Sequence, residues 1–174
     1  IRVREETHRE LYAHKTTLFT LEPIARNVAI QRMNPKNKWV LSTNTDMIFL
    51  MKNRKSLSEA CAGLDDGNYS APRLEIPETV WETFDRLNPQ KTIKDLKKIS
   101  RDLHLKETVH GDPWNLYDAP GDFQLFTRDD IMALGGFDET MVLGWHCDSN
   151  VNKRLMMLND KTNDASVFID AYHC

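Results

Sequence analysis

The alternation of apolar and polar positions divides the chain into short helices and short strands. Residues 1–19 are polar and mixed, with weak strand character over residues 11–13. Ile24, Val28 and Met33 then recur at near-helical spacing. Pro23 suits a first helical turn and Glu22 the positive end of the helix dipole, while Asn34-Pro35 ends the helix. Residues 39–43 read as a buried strand. A helix followed closely by a strand is half of a βαβ unit, so the expected fold is α/β, with a mainly parallel sheet flanked by helices. Ser56-Leu-Ser-Glu59 is a capping-box pattern opening a short helix that stops at Gly63. Residues 69–76 read as extended, with Pro72 placing them near a sheet edge. Pro77 and Glu78 open a helix carrying Val80, Trp81, Phe84 and Leu87, which Asn88-Pro89 breaks. Residues 92–105 form an amphipathic helix with Ile93, Leu96, Ile99 and Leu103 on one side. An apolar strand at residues 123–126 runs into a capped helix that stops at Gly135-Gly136. A last helix over 148–158 and a short strand over 167–169 close the chain. No repeat or clear linker interrupts this order. Residues 1–174 are therefore expected to form one domain, with 52–118 as a helical and extended insertion.

Composition narrows the field modestly. A chain of 174 residues, 40% apolar and 28% charged, is ordinary globular material. A formal charge of −3 gives no reason to expect nucleic acid as a partner. Cys61, Cys147 and Cys174 are odd in number and lack CxxC spacing, which argues against a disulfide framework and fits a reducing, cytoplasmic setting. The best apolar run, residues 39–51, is short for a bilayer and carries Asp46. Nothing reads as a signal peptide. Lys91, Lys94, Lys97, Lys98 and Arg101 decorate the 92–105 helix. They read as a solvated face, with peripheral membrane or partner contact as the alternative. Oligomeric state is left open.

Four constellations could carry chemistry. Thr43-Asn-Thr-Asp46 ends the 39–43 strand; ligands gather at the carboxyl ends of parallel strands, and an Asp there can coordinate a hard divalent cation. The plainer reading is a turn. Ala25-Arg-Asn27 lies in the preceding helix, where a surface arginine and an interior asparagine need no function. In Gly144-Trp-His-Cys-Asp148 a carboxylate sits in a Trp- and His-lined loop, as a general base would; Asp148 equally suits the N-cap of the last helix. His173 is a lone late histidine, a packing residue or a ligand suited to Mn²⁺. Gly121 permits close backbone approach before the 123–126 strand. No P-loop, GxGxxG, HExxH or GxSxG pattern is present, and His8, His14, His104 and His110 show no partner spacing.

The strand at 123–126, the phrase Gly135-Gly-Phe-Asp-Glu139 and the Trp-acid loop together resemble the acceptor-side half of the inverting, family-2-like glycosyltransferases with the GT-A fold. The "ARN" at 25–27, followed by a strand and an acid, extends the resemblance over residues 22–51 and 119–174. It implies transfer of a sugar from a nucleotide-sugar donor to a carbohydrate or glycolipid hydroxyl, assisted by Mn²⁺ or Mg²⁺. Asp148 would be the base, and Asp46 and His173 the metal ligands. Arg26, Asn27, Asn44 and Asp46 would face the nucleotide-sugar, and Gly121, Asp122, Trp145 and His146 the acceptor. The chain departs from the family pattern at Asn44, which replaces the first Asp of "DxD", and at Cys147, which stands where a Glu is usual. Nothing in residues 1–20 matches the strand-loop-helix unit that binds the nucleotide base, so the resemblance implies a GT-A-like domain lacking it. The rival readings are a non-catalytic remnant that binds carbohydrate or a partner, and a metal-dependent hydrolase.

Overall fold

The computed structural model describes residues 4–53, 56–102, 106–108, 121–143 and 145–174. In chain order the elements are α1 (Glu5–Leu11), α2 (Glu22–Arg32), β1 (Trp39–Ser42), β2 (Met47–Met51), α3 (Leu57–Cys61), β3 (Asn68–Ser70), β4 (Arg73–Glu75), α4 (Glu78–Trp81), α5 (Pro89–Asp102) and β5 (Lys106–Thr108). Then follow β6 (Gln124–Thr127), α6 (Arg128–Ala133), α7 (Cys147–Asn159), β7 (Asn163–Asp164), a 3₁₀ turn (Ala165–Val167) and β8 (Ile169–His173).

The strands form two four-stranded sheets, ordered β1-β6-β3-β7 and β2-β8-β4-β5. The expected mainly parallel, GT-A-like sheet is not found. β1·β6, β3·β6, β2·β8 and β4·β5 are antiparallel, and only β3·β7 and β4·β8 are parallel. The physical reason is the partner that β1 finds: it pairs with β6, and an antiparallel pair needs no crossover helix between its strands. The 39–43 and 123–126 segments do become neighbours, as β1 and β6, but they run in opposite directions.

Period-two alternation gives each sheet two apolar faces. Val40 and Phe126 pack with Ile30 of α2, Ile131 of α6, and Val151 and Leu155 of α7. Leu41, Leu125 and Tyr69 point the other way. They meet Phe49, Ile169 and Ala171 of the second sheet, with Phe123 and Phe168 between. The outer face of the second sheet, through Leu50 and Tyr172, is covered by Trp81, Phe84 and Leu96 from the α4–α5 region. The layers are helices, sheet, sheet, helices.

The described residues between 52 and 118 contribute strands to both sheets; 54–55, 103–105 and 109–118 of the expected insertion lie outside the described residues. β3 lies between β6 and β7, and β4 between β8 and β5, so neither is at an edge. Pro72 sits at the step where the chain leaves one sheet for the other, outside both ladders. Of the short strand expected at 167–169, Val167 ends the 3₁₀ turn, Phe168 lies in the turn that follows, and Ile169 alone is strand, as the first residue of β8. No helix among the described residues is long and apolar enough to cross a membrane.

Candidate active site

The chain leaves β1 at Ser42, crosses from one sheet to the other through residues 43–46, and enters β2 at Met47. The end of β8, the β4 strand, the approach to β6 and the N-termini of α2 and α7 converge on the same crossover. The carboxyl-end rule for parallel sheets therefore does not locate this site; the crossover between sheets does. Register does the rest. His173 pairs with Met47 of β2 on one side and with Glu75 of β4 on the other, which brings Asp46, His173 and Glu75 side by side.

One continuous polar network links the corner. Arg26 holds Glu22 Oε1 through Nε at 2.8 Å, donates from Nη2 to Asn44 Oδ1 at 3.1 Å, and reaches Ser42 Oγ through Nη1. Its guanidinium lies 5.5 Å over the Phe137 ring. Asn44 Nδ2 donates to Asp122 Oδ1 at 2.7 Å. The other oxygen of Asp122 takes Arg73 Nη1 at 3.0 Å, and Arg73 Nη2 meets Glu75 Oε1 at 2.6 Å. Glu75 Oε2 lies 2.8 Å from His173 Nδ1, and His173 Nε2 lies 3.3 Å from Asp46 Oδ2. Thr43 Oγ1 donates to the Asp122 carbonyl at 2.6 Å, clamping the crossover to β6.

This geometry explains Asn44. An amide there accepts from a guanidinium and donates to a carboxylate, which an Asp cannot do.

Asp148 forms a second corner. It is the second residue of α7 rather than its N-cap; His146 holds that position with φ 60. Its Oδ2 accepts from Gly121 N at 2.7 Å and its Oδ1 from Ser149 N at 2.8 Å, while Gln124 Nε2 donates to its carbonyl at 2.9 Å. Gly121 has to be glycine, because a Cβ would lie 2.6 Å from Asp148 Cβ. The close approach that this glycine permits is thus to Asp148. Glu22, Arg26, Asn44, Gly121, Trp145, His146, Cys147, Asp148 and Ser149 line one polar cavity of about 290 Å³. A more apolar cleft of about 350 Å³ opens beside it between α2 and β1 and shares Arg26.

Two expected contacts lie elsewhere. Asn27 is buried with its amide spent: Oδ1 accepts from Phe137 N at 2.7 Å, and Nδ2 donates to Phe137 O and Glu139 Oε1, both at 2.9 Å. It braces the Gly135-Gly136 turn, where φ is +74 and +84, and a Cβ on Gly136 would collide with it. The carboxylate of Asp122 is buried and engaged by Asn44 and Arg73. Gly144 lies outside the described residues, as do His104 and His110; Trp145 is 77% exposed at the rim. Sequence reasoning missed Glu22, Ser42, Arg73 and Glu75. Glu22 and Ser42 had a signal, since they flank residues already singled out; Arg73 and Glu75 sit in the assumed insertion and had none.

Electrostatics separates the groups further. Burial pushes the Glu75 carboxyl up, but the hydrogen bond from His173 and the charge of Arg73 outweigh it and hold the group below its ordinary value. Burial raises the Cys147 thiol, with Glu22 and Asp148 adding to the effect. Burial, and then Asp46, push Cys174 up to about 11. Both thiols stay protonated at neutral pH and are poor nucleophiles. Asp46 and His173 supply oxygen and imidazole donors at 3.3 Å. Glu75 holds the far side of the ring, as ring-orienting carboxylates do around metal-binding histidines. An oxygen and an imidazole nitrogen are donor types that Mn²⁺ accepts, and the oxygen suits Mg²⁺ as well. No group of three or more His, Cys, Asp or Glu that could hold an ion by itself occurs among the described residues.

A scan against protein-family models and searches of curated proteins and of solved structures return no match for this chain.

Proposed function

We propose that the chain is a metal-assisted glycosyltransferase domain, moving a sugar from a nucleotide-sugar donor to an acceptor hydroxyl with inversion. The observation that carries this reading is convergence. Arg26, Asn44, Asp46, Asp148 and His173, scattered over the sequence, meet at one crossover, and three of them line one cavity. Arg26 would steady the diphosphate. Asp46 and His173 would hold the cation, which supplies charge neutralisation of the departing diphosphate. Asp148 would take the acceptor proton; each of its oxygens accepts one backbone bond and keeps a further lone pair for that proton. Trp145 and His146 at the rim would meet the acceptor, and the shared lining would hold donor and acceptor together. Three free thiols support a reducing compartment, the cytoplasm.

A non-catalytic module binding carbohydrate or a partner is the second reading. It is favoured by the same two backbone bonds, which anchor Asp148 structurally. Calorimetric titration of UDP with Mn²⁺ separates them. The transferase reading expects binding by the parent and none by Asp46→Ala, with the two proteins equally stable to within about 0.5 kcal/mol. A parent that binds neither UDP nor Mn²⁺ would favour the module.

A further inference from the structure

We propose that Glu75 is a positioning residue for His173, fixing the imidazole tautomer so that Nε2 presents its lone pair toward Asp46. The inference deepens the transferase reading and rests on it for the role of the cation. Glu75 is contributed by β4, from the stretch that the sequence left as an insertion. The parallel ladder β4·β8 sets Glu75 opposite His173, and the backbone fixes that register further through Ile76 N donating to His173 O at 3.1 Å. Glu75 Oε2 is 2.8 Å from Nδ1, short enough for a charge-assisted bond. A carboxylate can only accept, so Nδ1 carries the hydrogen. In the neutral ring Nε2 is then the acceptor nitrogen, and it faces Asp46 Oδ2 at 3.3 Å. Two acceptors face each other across that gap, which in the neutral ring is an arrangement for a cation between them.

Arg73 makes the arrangement firm. It pairs with Glu75 Oε1 at 2.6 Å and with Asp122 Oδ2 at 3.0 Å, so the carboxylate that orients His173 is itself held from the other side. Asp122 in turn binds Asn44, and Asn44 binds Arg26. The metal-facing ring is thus tied through four side chains to the arginine proposed to bind diphosphate.

The test has two readouts. Long-range ¹H–¹⁵N spectra of the metal-free 174-residue chain at pH 8.5, well above the ordinary imidazole value of about 6.5, report the His173 tautomer. The parent is expected to carry the proton on Nδ1, and Glu75→Ala to shift toward the Nε2-protonated form; a parent already protonated on Nε2, or a Glu75→Ala spectrum unchanged from it, overturns the proposal. Electron paramagnetic resonance of added Mn²⁺ gives the second readout. Glu75→Ala is expected to bind about 10–100-fold more weakly than the parent. Glu75→Gln, whose amide oxygen still accepts from Nδ1, is expected to fall between the two. Undiminished Mn²⁺ binding in Glu75→Ala, alongside its loss in Asp46→Ala, overturns the inference alone. A parent that binds no Mn²⁺ overturns its metal half together with the transferase reading.

Discussion

Asp148 and Asp46 are carboxylates at the same end of the fold, and the chain holds them in opposite ways. Asp148 is gripped by backbone: N–H groups from Gly121 and Ser149 take its two oxygens, and a glycine is needed for the fit. Asp46 is 48% exposed and faces the ring of His173, which arrives from a different strand and is oriented from a third. The first corner is set by main-chain geometry and tolerates almost no added volume. The second is set by side chains from the crossover before β2, from β8 and from β4. On the proposed reading, the first kind of support suits a proton acceptor held at a fixed distance, and the second a ligand that exchanges.

The largest expected effect lies at the backbone-held corner. On the proposed transferase reading, Asp148→Asn should lower sugar-transfer turnover by about 10²–10⁴-fold, the usual contribution of a general base. The amide nitrogen would also oppose one of the two N–H donors, so a stability loss of about 1 kcal/mol should accompany it, from one unmade bond. Urea unfolding and a transfer assay on the same preparation separate the two. Turnover near the parent's would remove Asp148 from the chemistry.

Gly121→Ala attacks the same corner from the other side. Its Cβ would lie 2.6 Å from Asp148 Cβ and 2.8 Å from Oδ2, so either β6 or the start of α7 must shift. A loss of about 3 kcal/mol is expected, the upper end for overpacking, read as a lower urea midpoint with unchanged slope. An alanine tolerated within 0.5 kcal/mol would show that this corner is softer than its contacts imply.

The contrast also marks what could be read from sequence. The α2 helix, the Ser56 cap and the double-glycine stop were legible because local rules govern them: Ser56 Oγ does accept from Glu59 N, and Gly135 and Gly136 do take positive φ. The helix expected over 92–105 begins earlier, as α5 over Pro89–Asp102, and 103–105 lie outside the described residues. Strand direction was not legible. Trp39 to Ser42 shows an apolar strand but carries no mark of its partner, and the partner chosen was β6, antiparallel, from far along the chain. β2 was hidden because it shares one apolar run with β1, and only the Asn44–Asp46 turn reveals that the run serves two sheets. At the site, Asp46, His173, Arg26 and Asp148 were singled out through the family resemblance, since each by itself also suits a plain structural role. Glu75 and Arg73 could not be, because their role exists only once β4 lies beside β8.

Asn44→Asp tests the link between the corners. The new carboxylate would face Asp122 Oδ1 at the 2.7 Å now spanned by a hydrogen bond. Its remaining bond to Arg26 offsets part of that repulsion. The expected result is a loss of about 1–2 kcal/mol at neutral pH, from one buried acceptor left unmade and a like charge added. The loss should shrink in acid as the carboxyl pair takes up a proton. A gain in stability on this substitution would show that the network does not depend on an amide at position 44.

The smallest effect concerns pH and belongs to the side-chain corner. Glu75 titrates below its ordinary value of 4.5, because His173 and Arg73 favour its charged form by more than burial opposes it. A carboxyl with a depressed folded-state value binds its proton more readily when unfolded, so its contribution to stability is present above the unfolded value. That contribution is lost as the pH falls through the lower, folded value. The group is partly exposed, so the term should be less than about 1 kcal/mol. Urea unfolding of the parent and of Glu75→Gln at stepped pH from about 5 downward, below the ordinary histidine range, should therefore show a gap that closes progressively as the solution becomes more acidic. A gap that widened in acid would mean that burial, not the Arg73 and His173 contacts, dominates at Glu75. The side-chain corner would then lack the ionised carboxylate that its geometry requires.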